Sequence, residues 1–164
     1  MDASHIDQFD PELDLKFERI VDLPPEHFWA GWTEPETLKR WFCPLPWKTV
    51  DCEIDLVPGG IFRTVMRGPD SEEVTNIGCY LEITRNRRLI WTGAFGPGFR
   101  PRDTSTLPFV FTAIISFEPI KGHTRYSAHV LHSTPEGRKR HEEMGFEYGW
   151  SLALDQLIGL AKPI

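Results

Sequence analysis

Six histidines, three cysteines and two carboxylate pairs are the side chains here best suited to acid–base, nucleophilic or metal chemistry. Their spacing argues against most of it. His129 and His132 stand three apart in a strand pattern, so they point to opposite faces and cannot share one ion. His141-Glu142-Glu143-Met144-Gly145 begins like a zinc-protease helix, but glycine stands where the second histidine must be. Glu142-Glu143, and Glu53 with Asp55, fit solvated charge better than a catalytic pair. Cys43, Cys52 and Cys79 are odd in number and lack CxxC spacing, which disfavours a disulfide framework or a zinc site. No GxSxG elbow, phosphate loop or dinucleotide fingerprint occurs in the sequence. The expectation is no metal, no cofactor and no catalytic set.

What remains is a set of aromatic residues with a few polar groups among them. Aromatic residues make up 12% of the chain, with six tryptophans. Trp32, Trp41, Phe62, Trp91, Phe109, Phe111 and Trp150 can serve as packed core or as the walls of an apolar pocket. Thr64 and Met66 join them through strand phase: Phe62, Thr64 and Met66 share one face, and Arg63 and Arg67 share the other. Tyr126 and His132 fall on the apolar face of their strand in the same way. Leu154 lies on the apolar stripe of the last helix. Tyr80, Thr64 and His132 supply the polar groups that could orient a ligand, although the phase of Tyr80 is not fixed by the pattern.

These residues need a scaffold, and the periodicities supply one. Residues 1–12 read as a flexible acidic lead, and 13–164 as a single domain. Leu15 to Val21 alternates like a half-buried strand. Pro24-Pro25 can open a short helix with Phe28 and Trp32 on its inner face. Thr33 and Glu36 have capping-box spacing for a second short helix, which Pro44 and Pro46 stop. Strands follow near 49–57, 60–67, 73–84, 88–94, 108–118 and 124–132, joined by short turns that imply an antiparallel meander. Residues 95–107 are too rich in Gly and Pro for regular structure and long enough for a rim loop. Phe99, Arg100 and Arg102 in it could gate a pocket. Thr134 and Pro135 open a helical pattern of about 25 residues, roughly 38 Å at a rise of about 1.5 Å. Trp150 lies mid-stripe and is expected to be the centre of the helix–sheet interface. Gly145, Gly149 and Gly159 weaken that helix.

At 164 residues the chain is long enough to bury a substantial core, and its 26% charged residues are ordinary for a globular protein. A net charge of −6 argues against a nucleic-acid surface. No apolar run has the length of a membrane span, and the acidic start lacks the features of a signal peptide. The expectation is a cytoplasmic protein with reduced cysteines, no nucleic-acid partner and no membrane. The sequence leaves a homodimer open and marks no edge or patch for one.

Six short motifs in fixed order add a resemblance. They are Thr33-Glu34-Pro35-Glu36-Thr37-Leu38 with Arg40-Trp41-Phe42 and Pro44, and Pro58-Gly59-Gly60-Ile61-Phe62-Arg63. Arg87-Arg88-Leu89-Ile90-Trp91-Thr92 and Gly122-His123-Thr124-Arg125 follow, then Gly149-Trp150 and Leu154-Asp155-Gln156-Leu157. Over roughly residues 13–161 the chain resembles the bacterial branch of the family named for the activator of the heat-shock-protein-90 ATPase. That family sits in the START or birch-allergen-like (SRPBCC) superfamily. The resemblance implies an α+β helix-grip fold, a curved antiparallel sheet wrapped around a long C-terminal helix with two short helices after the first strand. It implies a cavity between sheet and helix that takes a small apolar or aromatic ligand. Polyketide cyclases and aromatases share the superfamily fold, so a cyclase-like enzyme is the alternative. A chaperone-partner module in the stress response is what the family name implies. The named cochaperones carry a separate N-terminal domain, whereas only about 12 residues precede the first strand here. Stimulation of the chaperone ATPase is therefore not expected.

Overall fold

The computed structural model describes residue 6 and residues 8–161. Strand β1, Asp14–Val21, is followed by helix α1, Pro25–Thr33, and helix α2, Pro35–Leu38. Strands β2 (Lys48–Ile54), β3 (Ile61–Arg67), β4 (Glu73–Thr84) and β5 (Arg88–Thr92) come next. Two-residue strands β6 (Phe95–Gly96) and β7 (Arg100–Pro101) flank a 3₁₀ turn at Pro97–Phe99. Strands β8 (Phe111–Ile120) and β9 (His123–His132) lead to helices α3 (Pro135–Glu143) and α4 (Phe146–Gly159). The seven long strands form one antiparallel sheet in the order β1-β9-β8-β5-β4-β3-β2. The expected meander thus runs from β2 to β9, and β1 closes onto its last strand.

Three expectations need correction. The single terminal helix is two helices, because Gly145 takes a left-handed conformation with φ of +90°. That geometry is cheap only without a Cβ, so the glycine sets the break. Thr33 does not cap α2. Its hydroxyl donates to the Trp29 carbonyl 2.7 Å away, while Glu34 holds the cap position without a side-chain bond. Residues 95–107 are not wholly irregular, since β6 and β7 pair within them. Thr134, by contrast, does cap α3, accepting from the Gly137 amide at 3.0 Å.

Strand phase follows the apolar pattern. Ala113, Ile115 and Phe117 on β8 and Tyr126, Ala128 and Val130 on β9 are sealed in the core. β1 carries one exception to simple patterning. Arg19 donates to Asp155 at 2.8 Å and to the Ser151 hydroxyl and carbonyl on α4, while its neighbour Ile20 is 61% exposed. The arginine anchors α4 to the sheet edge. Gln156 ties the other side of α4, donating to the Trp41 and Cys43 carbonyls and accepting from the Leu45 amide.

On α4 the sealed residues are Phe146, Ala153, Leu154 and Leu157, whereas Trp150 is half-buried. The centre of the helix–sheet contact therefore lies one turn beyond Trp150. Leu154→Ala is expected to cost about 2–5 kcal/mol in urea unfolding. Trp150→Ala should cost less, about 1–2 kcal/mol, because part of its ring already meets water. The reverse order would place α4 in a different rotation. Among the described residues, no helix is long and apolar enough to cross a membrane.

Candidate functional site

Two short helices, the inner face of the sheet and the α3–α4 pair bring most of the singled-out aromatic residues together. Trp32, at the end of α1, is the hub. Its ring lies 5.0 Å from Trp41, 5.4 Å from Phe42, 5.2 Å from Trp91 and 6.5 Å from Phe62. Its indole N–H donates to the Tyr126 hydroxyl at 3.0 Å, and Trp41 donates to the Gly31 carbonyl at 2.9 Å. Both indoles are thus satisfied without water, as buried polar groups require. α1 and α4 meet closely at Gly31, where an added Cβ would run into the Leu157 side chain.

From this hub the rings form a continuous arc. Phe62 meets Trp91 edge-on at 5.1 Å and stacks on Tyr80 at 5.4 Å. Trp91 leads to Phe111 at 6.4 Å, and Phe111 to Phe109 at 6.0 Å. Phe111 also faces His141 on α3 at 4.9 Å. His141 leads on to Phe146 at 5.1 Å and Phe146 to Trp150 at 5.3 Å. Phe42, Phe111 and Trp150 are half-buried, so the arc reaches the surface through them. Leu154 is sealed on α4 beneath it. Thr64 is buried on β3, whereas Met66 is half-buried and receives the Asn76 side-chain amide at 3.9 Å. Thr64 and Met66 follow Phe62 along β3, the first sealed and the second nearer the surface.

The polar groups on this arc are few. Pairing of Gly78 with Phe62 and of Tyr80 with Trp91 fixes the phase that the sequence left open, and a bulge between Tyr80 and Glu82 changes it for the residues beyond. Tyr80 points inward, 1% exposed, and its hydroxyl has no hydrogen-bond partner among the described residues. Burial pushes its phenol well above the ordinary tyrosine range. Burial likewise raises Tyr126, with the Trp32 N–H pulling the other way. His132 faces α3, and its Nδ1 lies 2.9 Å from the Leu13 carbonyl. Its Nε2 lies 2.9 Å from His141 Nδ1. Burial lowers both histidines, and the neighbouring His132 helps hold His141 down at about 4. His129 points the other way, to Asp14 at 2.9 Å, as its spacing from His132 required.

Sequence reasoning missed His141, Phe146 and Phe42 as members of the arc. A signal existed for the first. Gly137 and His141 are four apart after the Thr134 cap, so they share the inner face of α3, and both are buried. Arg102, taken as a gate, instead donates to the Ile77 and Gly93 carbonyls at 2.9 Å and pins its loop to the sheet. Two hollows, of about 570 and 350 Å³, lie at the N-terminal corner around Phe9 and Asp14. Only the first touches a singled-out residue, His132. Along the arc itself the rings pack on one another. Among the described residues, no group of three or more His, Cys, Asp or Glu side chains could hold a metal ion.

Most of the chain matches a known family. Residues 22–162 match the model for "Activator of Hsp90 ATPase homolog 1-like protein". The chain belongs to that family. As a member, it has the mixed α+β architecture of the SRPBCC superfamily, with a large antiparallel sheet and C-terminal helices. It is similar to a protein of known crystal structure from Nitrosomonas europaea, 47% identical, with 91% of this chain and 94% of that one covered and a TM-score of 0.86. A protein from Mycobacterium smegmatis is 24% identical, covering 93% of both chains with a TM-score of 0.74. The AHSA1 protein from Silicibacter pomeroyi is 20% identical over 88% of this chain and 94% of that one, with a TM-score of 0.63. These last two likenesses concern the fold alone. No curated protein matches this family member at a significant level.

Proposed function

We propose that this protein binds a small, flat, largely apolar or aromatic molecule between the sheet and helices α3 and α4, in the cytoplasm. Tyr80 carries the reading. A sealed hydroxyl without a partner costs about 1–3 kcal/mol, and Tyr80 holds such a hydroxyl on the inner face beside Phe62. A ligand's polar group would recover that cost while its apolar body replaces ring–ring contacts. Half-buried Phe42, Phe111 and Trp150 are the rings that would give way to admit it. Thr64 and His132 are the other polar candidates along this face. A cyclase-like enzyme is the second reading, favoured by the His132–His141 pair, whose lowered pKa values keep two imidazoles neutral and able to accept protons.

The test is a panel of apolar and aromatic compounds read by thermal stabilisation and tryptophan fluorescence. Binding should carry a negative heat-capacity change as apolar surface leaves water. Tyr80→Phe should raise the stability of the free protein by about 1 kcal/mol, since it removes an unpaired buried hydroxyl. The same change should weaken ligands that carry a polar group. Arg63→Ala should change binding little, because Arg63 is engaged with Asp51 and Glu53 through its other strand face. A panel that shifts neither fluorescence nor melting temperature would mean that the arc is core and nothing else.

A further inference from the structure

His141, which completes no metal motif, has four aromatic ring neighbours, more than any other histidine among the described residues. Its ring stacks on Phe109 at 4.5 Å and 19°, tilts against Phe111, and meets Phe146 edge-on at 5.1 Å and 78°. Three aromatic side chains from the approach to β8, from β8 and from α4 therefore frame one imidazole. The fourth neighbour is His132, joined to it nitrogen to nitrogen.

The hydrogen-bond chain determines where the protons sit. The Leu13 carbonyl can only accept, so His132 Nδ1 carries a hydrogen. A neutral imidazole has just one, so His132 Nε2 is a bare lone pair. The hydrogen between the two rings must then come from His141 Nδ1. That leaves His141 Nε2 bare as well, and it has no hydrogen-bond partner among the described residues. Neutrality of both rings follows from burial, which lowers each, while Asp14 and Arg138 act on His132 with opposite signs. One backbone carbonyl thus fixes the tautomer two rings away.

We propose that His141 Nε2 is the hydrogen-bond acceptor of the ligand site, and that the ligand class is a flat aromatic molecule bearing a hydroxyl or ring N–H donor. This rests on the small-molecule reading above and narrows it. Aromatic walls favour a flat ring through offset or edge-on contact. The nitrogen is not sealed in the free protein. A flat ring laid against the frame would displace the water that reaches it, so a ligand with a donor satisfies the lone pair and an analogue without one leaves it unpaired. Anionic ligands fit poorly, because a neutral imidazole offers them a lone pair and no proton. Phenols and indoles have the required chemistry.

Two measurements test this. Long-range proton–nitrogen correlation on the ¹⁵N-labelled, ligand-free protein at pH 7 reads the tautomers directly. Both His132 and His141 should carry hydrogen on Nδ1 and none on Nε2. Calorimetric titration with 2-naphthol and with its methyl ether, 2-methoxynaphthalene, then compares one ring with and without the donor. The naphthol should bind at least about tenfold more tightly to the wild-type protein, a difference of about 1.4 kcal/mol. His141→Phe keeps an aromatic ring in the frame and should remove that preference while still binding the ether. A hydrogen on His141 Nε2, equal affinities in the wild type, or a preference that survives in His141→Phe each overturns the proposal. The wild-type comparison stands even if that variant folds poorly. Binding of other panel compounds but of neither naphthalene overturns the donor-bearing class and leaves the broader reading intact. Binding of nothing overturns both.

Discussion

Trp32→Ala is expected to bring this protein close to unfolding. Removing a sealed tryptophan costs about 3–5 kcal/mol in transfer and cavity terms. Here the ring touches Trp41, Phe42, Phe62 and Trp91 together, so collapse into the space would have to move four rings at once. The change also leaves the fully enclosed Tyr126 hydroxyl without the N–H that it accepts from. An orphaned buried group adds about 1–3 kcal/mol. Against a total stability of about 5–15 kcal/mol, the sum is large. Trp32→Phe separates the two parts, because it keeps most of the ring volume and loses the donor. Urea unfolding should rank wild type above Trp32→Phe, and that variant well above Trp32→Ala. A loss under about 2 kcal/mol for the alanine variant would show that the hub does not hold α1 to the sheet.

Gly60→Ala should be nearly as damaging, and worse than Gly59→Ala. The pair sits in the turn between β2 and β3. Gly59 has a positive φ of 84°, the usual reason for a glycine, and the ring of Phe99 lies over it. That ring can swing aside, so Gly59→Ala carries mainly backbone strain, about 1–2 kcal/mol. Gly60 has no such φ, yet an added Cβ would collide with the Asp55 carbonyl and stand 2.9 Å from the Val57 carbonyl. Backbone cannot rotate away as a side chain can. The turn is also bonded to β4, with the Gly59 amide donating to the Tyr80 carbonyl and the Tyr80 amide to the Gly60 carbonyl. Shifting it would disturb the strand that carries Tyr80. A cost of roughly 3 kcal/mol or more is expected, read as a lower urea midpoint. If Gly59→Ala proves the worse of the two, the close approach at Gly60 is wrong.

Much of the architecture was legible because it rests on local physics. The period of two in Phe62, Thr64 and Met66, and again in Tyr126, Ala128, Val130 and His132, assigned strand faces that the sheet keeps. Thr134 and Pro135 marked the start of α3, since a cap needs only residues one turn away. The Pro58-Gly59-Gly60 turn announced a backbone constraint before its cause was visible.

The site was less legible. Three helix glycines signalled weakness in the last helix, but only the packed chain shows that Gly145 takes the left-handed turn while Gly149 and Gly159 stay helical. Tyr80 faces inward because the β3–β4 register sets Gly78, two residues before it, opposite Phe62, a property of two strands together. Arg19 reads locally as a solvent residue, and it turns to α4 because Ser151 and Asp155 meet it there from 132 and 136 positions away. His132 and His141 are nine apart in sequence, on a strand and on a helix whose periods do not relate them. The sequence by itself determined element order, strand phase and the aromatic inventory, because these depend on neighbours within a few residues. Tertiary structure alone decided which polar atoms meet and which stay unpaired. Hydrogen bonds act over about 3 Å, and no periodicity along a chain fixes such distances between separate elements.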